Sequence, residues 1–160
     1  MDFENIFLPF NIKTITDDIV IASPVFAFEM LMSEDRKFSP KKFFRRIILV
    51  DAVNGRSEVT KLTSFPRPVL LDEGLEFYKL EPQITLATAR FIAKKGTVAY
   101  EDRSFGTLLM NWKIYPEHII EKQLYRGYIV RGTKFIDSFA AYSVAYEKIT
   151  KMPEKLRKNR

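Results

Sequence analysis

Between Phe43 and Thr63 the chain places one polar break between two runs of strand-forming residues. Phe43-Phe44-Arg45-Arg46-Ile47-Ile48-Leu49-Val50 lies on one side, Ser57-Glu58-Val59-Thr60 on the other, and Asn54-Gly55 between them. Both central residues of a tight hairpin turn need positive φ, which glycine adopts freely and asparagine tolerates, so this pattern predicts a β-hairpin. Two registers are compatible with it. A two-residue loop at Asn54-Gly55 sets Asp51 against Glu58, an opposition of like charges that costs on the order of 0.2–1 kcal/mol and calls for a cation or a shared proton. A three-residue loop at Val53-Asn54-Gly55 with Gly55 left-handed sets Asp51 against Ser57 and removes the conflict. The second register is preferred, which makes Asp51 a residue that supports the turn.

Period-two alternation recurs upstream and downstream. Ile19-Val20-Ile21-Ala22 reads as a strand, and a further strand is expected over 10–16 with Pro9 at its edge. In 24–33 a Ser-Pro pair resembles a helix start, yet Phe26, Phe28, Met30 and Met32 fall on alternate positions, so a strand is expected there and the methionines fill a core. Residues 107–115 predict a strand closed by Pro116, and 119–130 another. Two stretches carry a helical period. Pro82 to Lys95 has proline at its first position, Ile84, Ala87 and Phe91 on one stripe, lysines in the last turn where they complement the helix dipole, and Gly96 as a stop. Phe135, Phe139, Tyr142, Tyr146 and Ile149 are spaced four, three, four and three, which predicts a helix over 138–152 capped at Asp137 or Ser138 and ended by Pro153. The expected fold is α+β: an antiparallel sheet of about six strands with a middle helix and a C-terminal helix against it, in one domain over 1–152 followed by a basic tail over 153–160.

Leu49-Val50-Asp51-Ala52 is echoed by Phe135-Ile136-Asp137-Ser138, each following a basic, aromatic-containing stretch. The string Val50-Asp51-Ala52-Val53-Asn54-Gly55 resembles the strand-turn of PepSY-like bacterial domains over those residues alone, and the resemblance implies no function.

Composition changes this picture in two respects. The chain has 160 residues, 46% of them hydrophobic, with 14 phenylalanines, enough to bury a core without covalent staples. The absence of cysteine excludes disulfides, thiolate catalysis and cysteine-held zinc or iron-sulfur sites. The N-terminus is acidic and no apolar run spans a bilayer, so a cytoplasmic protein without an integral membrane segment is expected. Net charge is +6, unevenly spread: residues 1–35 sum to −6, and the segment from Lys148 onward carries +5. The high pI therefore reports the tail more than the body.

Catalytic patterns are scarce. His118 is the single histidine, so no histidine metal cluster is available and a turn role is preferred for it. No serine sits in a nucleophile elbow and no glycine loop cradles phosphate. No catalytic, cofactor or metal residue is assigned. The strongest binding candidate is the run in which Lys122, Tyr125, Arg126, Tyr128, Arg131 and Lys134 interleave bases with aromatics, joined by Lys155, Arg157 and Lys158 of the tail as a nucleic-acid surface. Against it stands a plain hairpin turning at Gly132-Thr133, with the tyrosines half buried and Arg131 and Lys134 at the tip, which is preferred. The expected function is a non-catalytic binding or assembly module that contacts a protein partner or a second copy of itself. Nucleic-acid binding comes second, and an enzyme using Asp51, Asp137 or His118 third.

Overall fold

Strand β1 (Ile19–Arg36) is the long apolar run of the N-terminal third, and every other part of the sheet is arranged about it. The computed structural model describes residues 3, 6–15, 17–36, 38–67, 69, 75–103 and 110–151. Strand β2 (Ser39–Asp51) pairs antiparallel with β1, and β3 (Ser57–Val59) follows as the return of the Asn-Gly hairpin. Strand β4 (Glu76–Lys79) precedes helix α1 (Leu86–Arg103), after which come β5 (Met110–Arg131), β6 (Lys134–Asp137), β7 (Tyr142–Val144) and the short helix α2 (Tyr146–Thr150). The sheet runs β3-β2-β1-β5-β6-β7, antiparallel throughout, with β4 parallel to the start of β1. The architecture is α+β.

One edge of β1 serves β4 at Ile19–Ala22 and then β2 from Val25 onward. Pro24, which has no N–H to give, sits at the changeover between those two partners, where a proline costs the sheet little. The alternation in 24–33 is that of a strand: Phe26, Phe28, Met30 and Met32 are fully buried on one face with Ile48 and Val50. Helix α1 covers that face. It begins later than the proline suggests, because Thr85 takes the capping role: its Oγ1 accepts the Thr88 N–H at 3.2 Å. The N–H groups of Gln83 and Ile84 are meanwhile spent on the Ala52 carbonyl. The helix also runs through Gly96, so Lys94 and Lys95 lie within it and not in its last turn. Its buried side is Ala89, Ile92 and Ala93, whose small side chains let the helix approach the Phe-Met row, while Phe91 is exposed beneath the Lys95 ammonium.

Other boundaries move for equally local reasons. Residues 10–15 form no strand. The N-terminal segment instead runs along the edge of β5, with Leu8 N–H donating to the Tyr125 carbonyl, Tyr125 N–H to the Ile6 carbonyl and Asn11 N–H to the Ser138 carbonyl, so that Phe7 packs with Val20 and Tyr125 on one face and Leu8 with Val25 and Leu49 on the other. Gly127 permits the close approach of this segment, since a Cβ there would meet the Phe10 ring at 2.5 Å. Pro116 does not end a strand: β5 is continuous, and the register shifts between Tyr115 and Ile119, so Pro116, Glu117 and His118 bulge outward as exposed residues. The stripe from Phe135 to Ile149 is mostly not helical. It is divided among β6, a turn, β7 and α2, because Asp137 diverts the chain.

That diversion repeats the one at Asp51. Asp51 Oδ1 accepts the Val53 and Asn54 N–H groups at 2.8 and 3.0 Å, and the Gly55 N–H donates to the Asp51 carbonyl. Asp137 Oδ1 accepts the Phe139 and Ala140 N–H groups at 3.0 Å each, and the Ala141 N–H donates to the Asp137 carbonyl. The fourth residue of each turn is left-handed, Gly55 at φ 72° and Ala141 at φ 63°. The short echo between 49–52 and 135–138 is thus one turn used twice, and the order β1-β2-β3 is matched by β5-β6-β7 about the β1–β5 pair. The hairpin register is neither of the two expected: Val50 pairs with Ser57 and Leu49 with Glu58, so a four-residue loop over 52–55 brings Arg56 opposite Asp51. Satisfying two turn N–H groups from one carboxylate needs the wider loop.

An alanine in the left-handed region carries a penalty that glycine does not, partly offset by the greater freedom glycine loses on folding. Ala141→Gly is expected to raise stability by about 0.5–1 kcal/mol and Gly55→Ala to lower it by about 1 kcal/mol. Urea unfolding midpoints of the two variants measure both, and a destabilised Ala141→Gly would contradict the shared turn geometry.

Candidate functional site

Asp51, Arg126, Tyr128 and Asp137 all point to the face of the sheet opposite α1, as the pairings Val25 with Asp51, Val25 with Leu124 and Tyr128 with Asp137 require. The sheet is curled toward that face strongly enough for Arg126 on β5 to reach Glu58 on β3, across β1 and β2, at 2.9 Å. The curl leaves a pocket of about 340 Å³ between the two related hairpins. Val25 and Leu49 form its floor, Arg56, Ser57 and Glu58 one wall, Tyr142 and Val144 the other, and Lys148 and Ile149 of α2 border it. Asn54 ties α2 in place, its Nδ2 donating to the Lys148 and Ile149 carbonyls at 2.5 and 3.3 Å.

The charges within are nearly all committed. Arg126 donates from Nε to Asp137 Oδ1 at 3.0 Å, from Nη2 to Asp137 Oδ2 at 2.6 Å and from Nη1 to Glu58. Burial opposes the guanidinium charge, but Asp137 and Glu58 outweigh it and hold Arg126 firmly protonated. Breaking such a buried pair from one side leaves an uncompensated charge, so the pair fixes the geometry even where its net contribution to stability is small. Burial pushes the Tyr128 phenol up.

Asp51 differs from Asp137. It is only 8% exposed, yet among the described residues no guanidinium or ammonium bonds it, and its Oδ2 meets only the Ser23 hydroxyl at 3.5 Å. Burial raises its carboxyl to about 6, against the N–H groups of Asn54 and Val53 and the more distant pull of Arg126. The contrast follows from the repeated strands. Ser23 stands two residues before Val25, which faces Asp51, and Arg126 stands two residues before Tyr128, which faces Asp137. Ser23 and Arg126 also pair with each other, so serine holds one of two equivalent places and arginine the other.

The run expected to bind nucleic acid is distributed differently. Tyr125, Arg126 and Tyr128 are buried, Arg131 grips Asp18 through Nε and Nη2 at 3.0 and 2.9 Å, and the Lys122 ammonium lies 4.7 Å from the Phe65 ring centroid. Lys134 is exposed beside the two-residue turn at Gly132-Thr133, the plain hairpin expected there. Arg131 is therefore not a solvated tip residue, since it ties the N-terminal segment to the sheet. Lys155, Arg157 and Lys158 lie outside the described residues. Asp51 and Asp137, the two carboxylates named with His118 for an enzyme, both border one pocket. The roles of Arg126, Tyr128 and Glu58 there carried no sequence signal, because the curl that gathers them is a property of the whole sheet.

Among the described residues, no group of three or more potential ligands is placed to hold a metal ion, and no helix is long and apolar enough to cross a membrane. Compared with known proteins, the chain matches no family model, no curated protein and no solved structure.

The raised Asp51 carboxyl makes a signed prediction. Its ordinary value is 3.8, so between about pH 4 and 6 the folded state binds more protons than the unfolded one, and stability falls as pH rises through that window. The loss contributed by Asp51 is on the order of 3 kcal/mol and is complete above about pH 6. Asp51→Asn keeps an oxygen for the turn N–H groups and removes the titration. Urea unfolding from pH 4 to 7.5 should show the variant gaining on the wild type as pH rises, whereas parallel curves would contradict a buried, proton-binding Asp51.

Proposed function

We propose that this chain is a non-catalytic binding module, and that the pocket between its two hairpins receives a side chain or small polar group of a partner. The observation that carries this reading is how the pocket's polar atoms are spent. Both Asp137 oxygens, all three arms of Arg126 and Asp51 Oδ1 are fixed in bonds that hold the turns and the curl. Groups so committed position a guest well, and Asp51 Oδ2 is left to meet it. The volume suits a side chain or a small ligand. Val144→Trp fills the pocket from its β7 wall while leaving the buried pairs untouched. A partner isolated with the wild type should be lost with Val144→Trp and kept with Lys113→Ala, a change at the far end of the sheet. Undiminished recovery with Val144→Trp would remove the pocket from the interface, and light scattering on the same samples reports whether the partner is a second copy.

A second reading, nucleic-acid binding, is favoured by a different surface from the one expected. At the far end of β1, β2 and β5, Phe43 and Tyr115 lie with ring centroids 5.8 Å apart, and the Lys41 and Lys113 ammonium groups sit 6.0 and 5.1 Å from the Tyr115 ring. Phe43 is 57% exposed, on a face that the N-terminal segment covers only nearer the pocket. Exposed aromatic faces flanked by cations suit single-stranded nucleic acid. Affinity for an oligonucleotide should fall steeply with salt, and Lys41→Ala with Lys113→Ala should reduce the slope by about 2. A version ending at Lys151 separates this surface from the tail while keeping Ile149, which is buried. No binding at low salt, or binding lost only with the tail, would eliminate the surface.

A further inference from the structure

We infer that the group received by the pocket is a cation, an alkylammonium or a guanidinium, and that it pairs with Asp51. The inference rests on the pocket reading above and specifies its chemistry. Among the described residues three carboxylates border the pocket, Asp51, Glu58 and Asp137, and the one buried cation, Arg126, gives its N–H groups to Glu58 and Asp137. Asp51 is left as a buried carboxylate whose outer oxygen has, among the described residues, no donor better than a hydroxyl at 3.5 Å. In a solvent-poor site an ionised carboxylate is costly without a partner, and a guest cation supplies one.

The two related halves say what size of partner fits. Asp137 is met by a guanidinium from the place equivalent to Ser23, whereas the serine is too short to do the same for Asp51. A guest guanidinium or ammonium restores at Asp51 the pairing that Arg126 makes at Asp137. The walls agree with this choice, because Tyr128 and Tyr142 border the cavity and aromatic faces attract cations. Arg56 and Lys148 also border the pocket, and both are exposed. They oppose a cation by long-range repulsion that salt and water screen, while Asp51 attracts it at contact in the interior.

Arginine and citrulline provide the discriminating probes, since citrulline keeps the shape and loses the charge. The blocked tripeptides acetyl-Gly-Arg-Gly-amide and acetyl-Gly-citrulline-Gly-amide, free agmatine, and butyrate as an anion are each titrated into the full chain. The readout is the amide resonances of Val53 and Asn54, which bond Asp51. The arginine peptide or agmatine should shift both resonances and bind at least ten-fold more tightly than the citrulline peptide. Asp51→Asn, checked for folding by its urea transition, should lose at least ten-fold of that affinity. Agmatine equal to the peptide assigns a small-molecule guest, and a peptide ten-fold tighter assigns a partner protein's side chain; both support the inference. Equal binding of arginine and citrulline, or preference for butyrate, overturns the cation and leaves the pocket reading standing. If no probe shifts any pocket amide the inference also falls, and the pocket reading is then decided by Val144→Trp.

Discussion

The buried Arg126 guanidinium is the interaction on which the rest of the molecule depends. It joins β6 to β3 through Asp137 and Glu58, and no flat sheet could bring those strands within reach of one side chain. Curl, pocket and charge pattern are therefore one fact. A sheet whose longer helix covers one face alone has freedom to flatten, and a fully engaged buried arginine removes it. The net energy of such a pair is modest after desolvation, but its geometric demand is strict.

Around that tie the chain uses one device twice. An aspartate at the end of a strand accepts two N–H groups of the following turn, and a left-handed residue closes the loop. The copies differ where they meet on the β1–β5 pair, serine in one and arginine in the other. That single difference makes one aspartate half of an ion pair and leaves the other a carboxyl titrating near 6. Equivalent backbone positions acquire different chemistry from the length of one neighbouring side chain, and the pocket's polarity follows from it.

The parts of this fold written in the sequence are those set by local chemistry. Alternation of Phe26, Phe28, Met30 and Met32 specified a strand that gathers these four side chains on one face, because successive side chains on a strand point oppositely. Asn54-Gly55 specified the hairpin, and the echo around Asp51 and Asp137 marked the repeated turn. Two local signals misled for physical reasons. The four-three spacing from Phe135 to Ile149 imitates a helix face, but the Asp137 carboxylate offers the backbone a competing turn, and Phe135 and Tyr146 meet instead as a ring pair between strand and short helix. Pro116 reads as a strand end, yet a bulge on β5 accommodates it.

What the sequence determined by itself was the class of the fold, the places where the chain turns, and the exclusion of thiol and histidine-cluster chemistry, since these depend on residue type and near neighbours. What only the tertiary structure decided was which charges meet. Glu58, Arg126 and Asp137 are far apart along the chain and join through the curl of the sheet, and the same curl takes Tyr125, Arg126 and Tyr128 out of solvent. Strand spacing along a sequence records which face a side chain takes. It does not record how far the sheet bends, because bending is set by cross-strand pairs that form only once distant strands have been brought together.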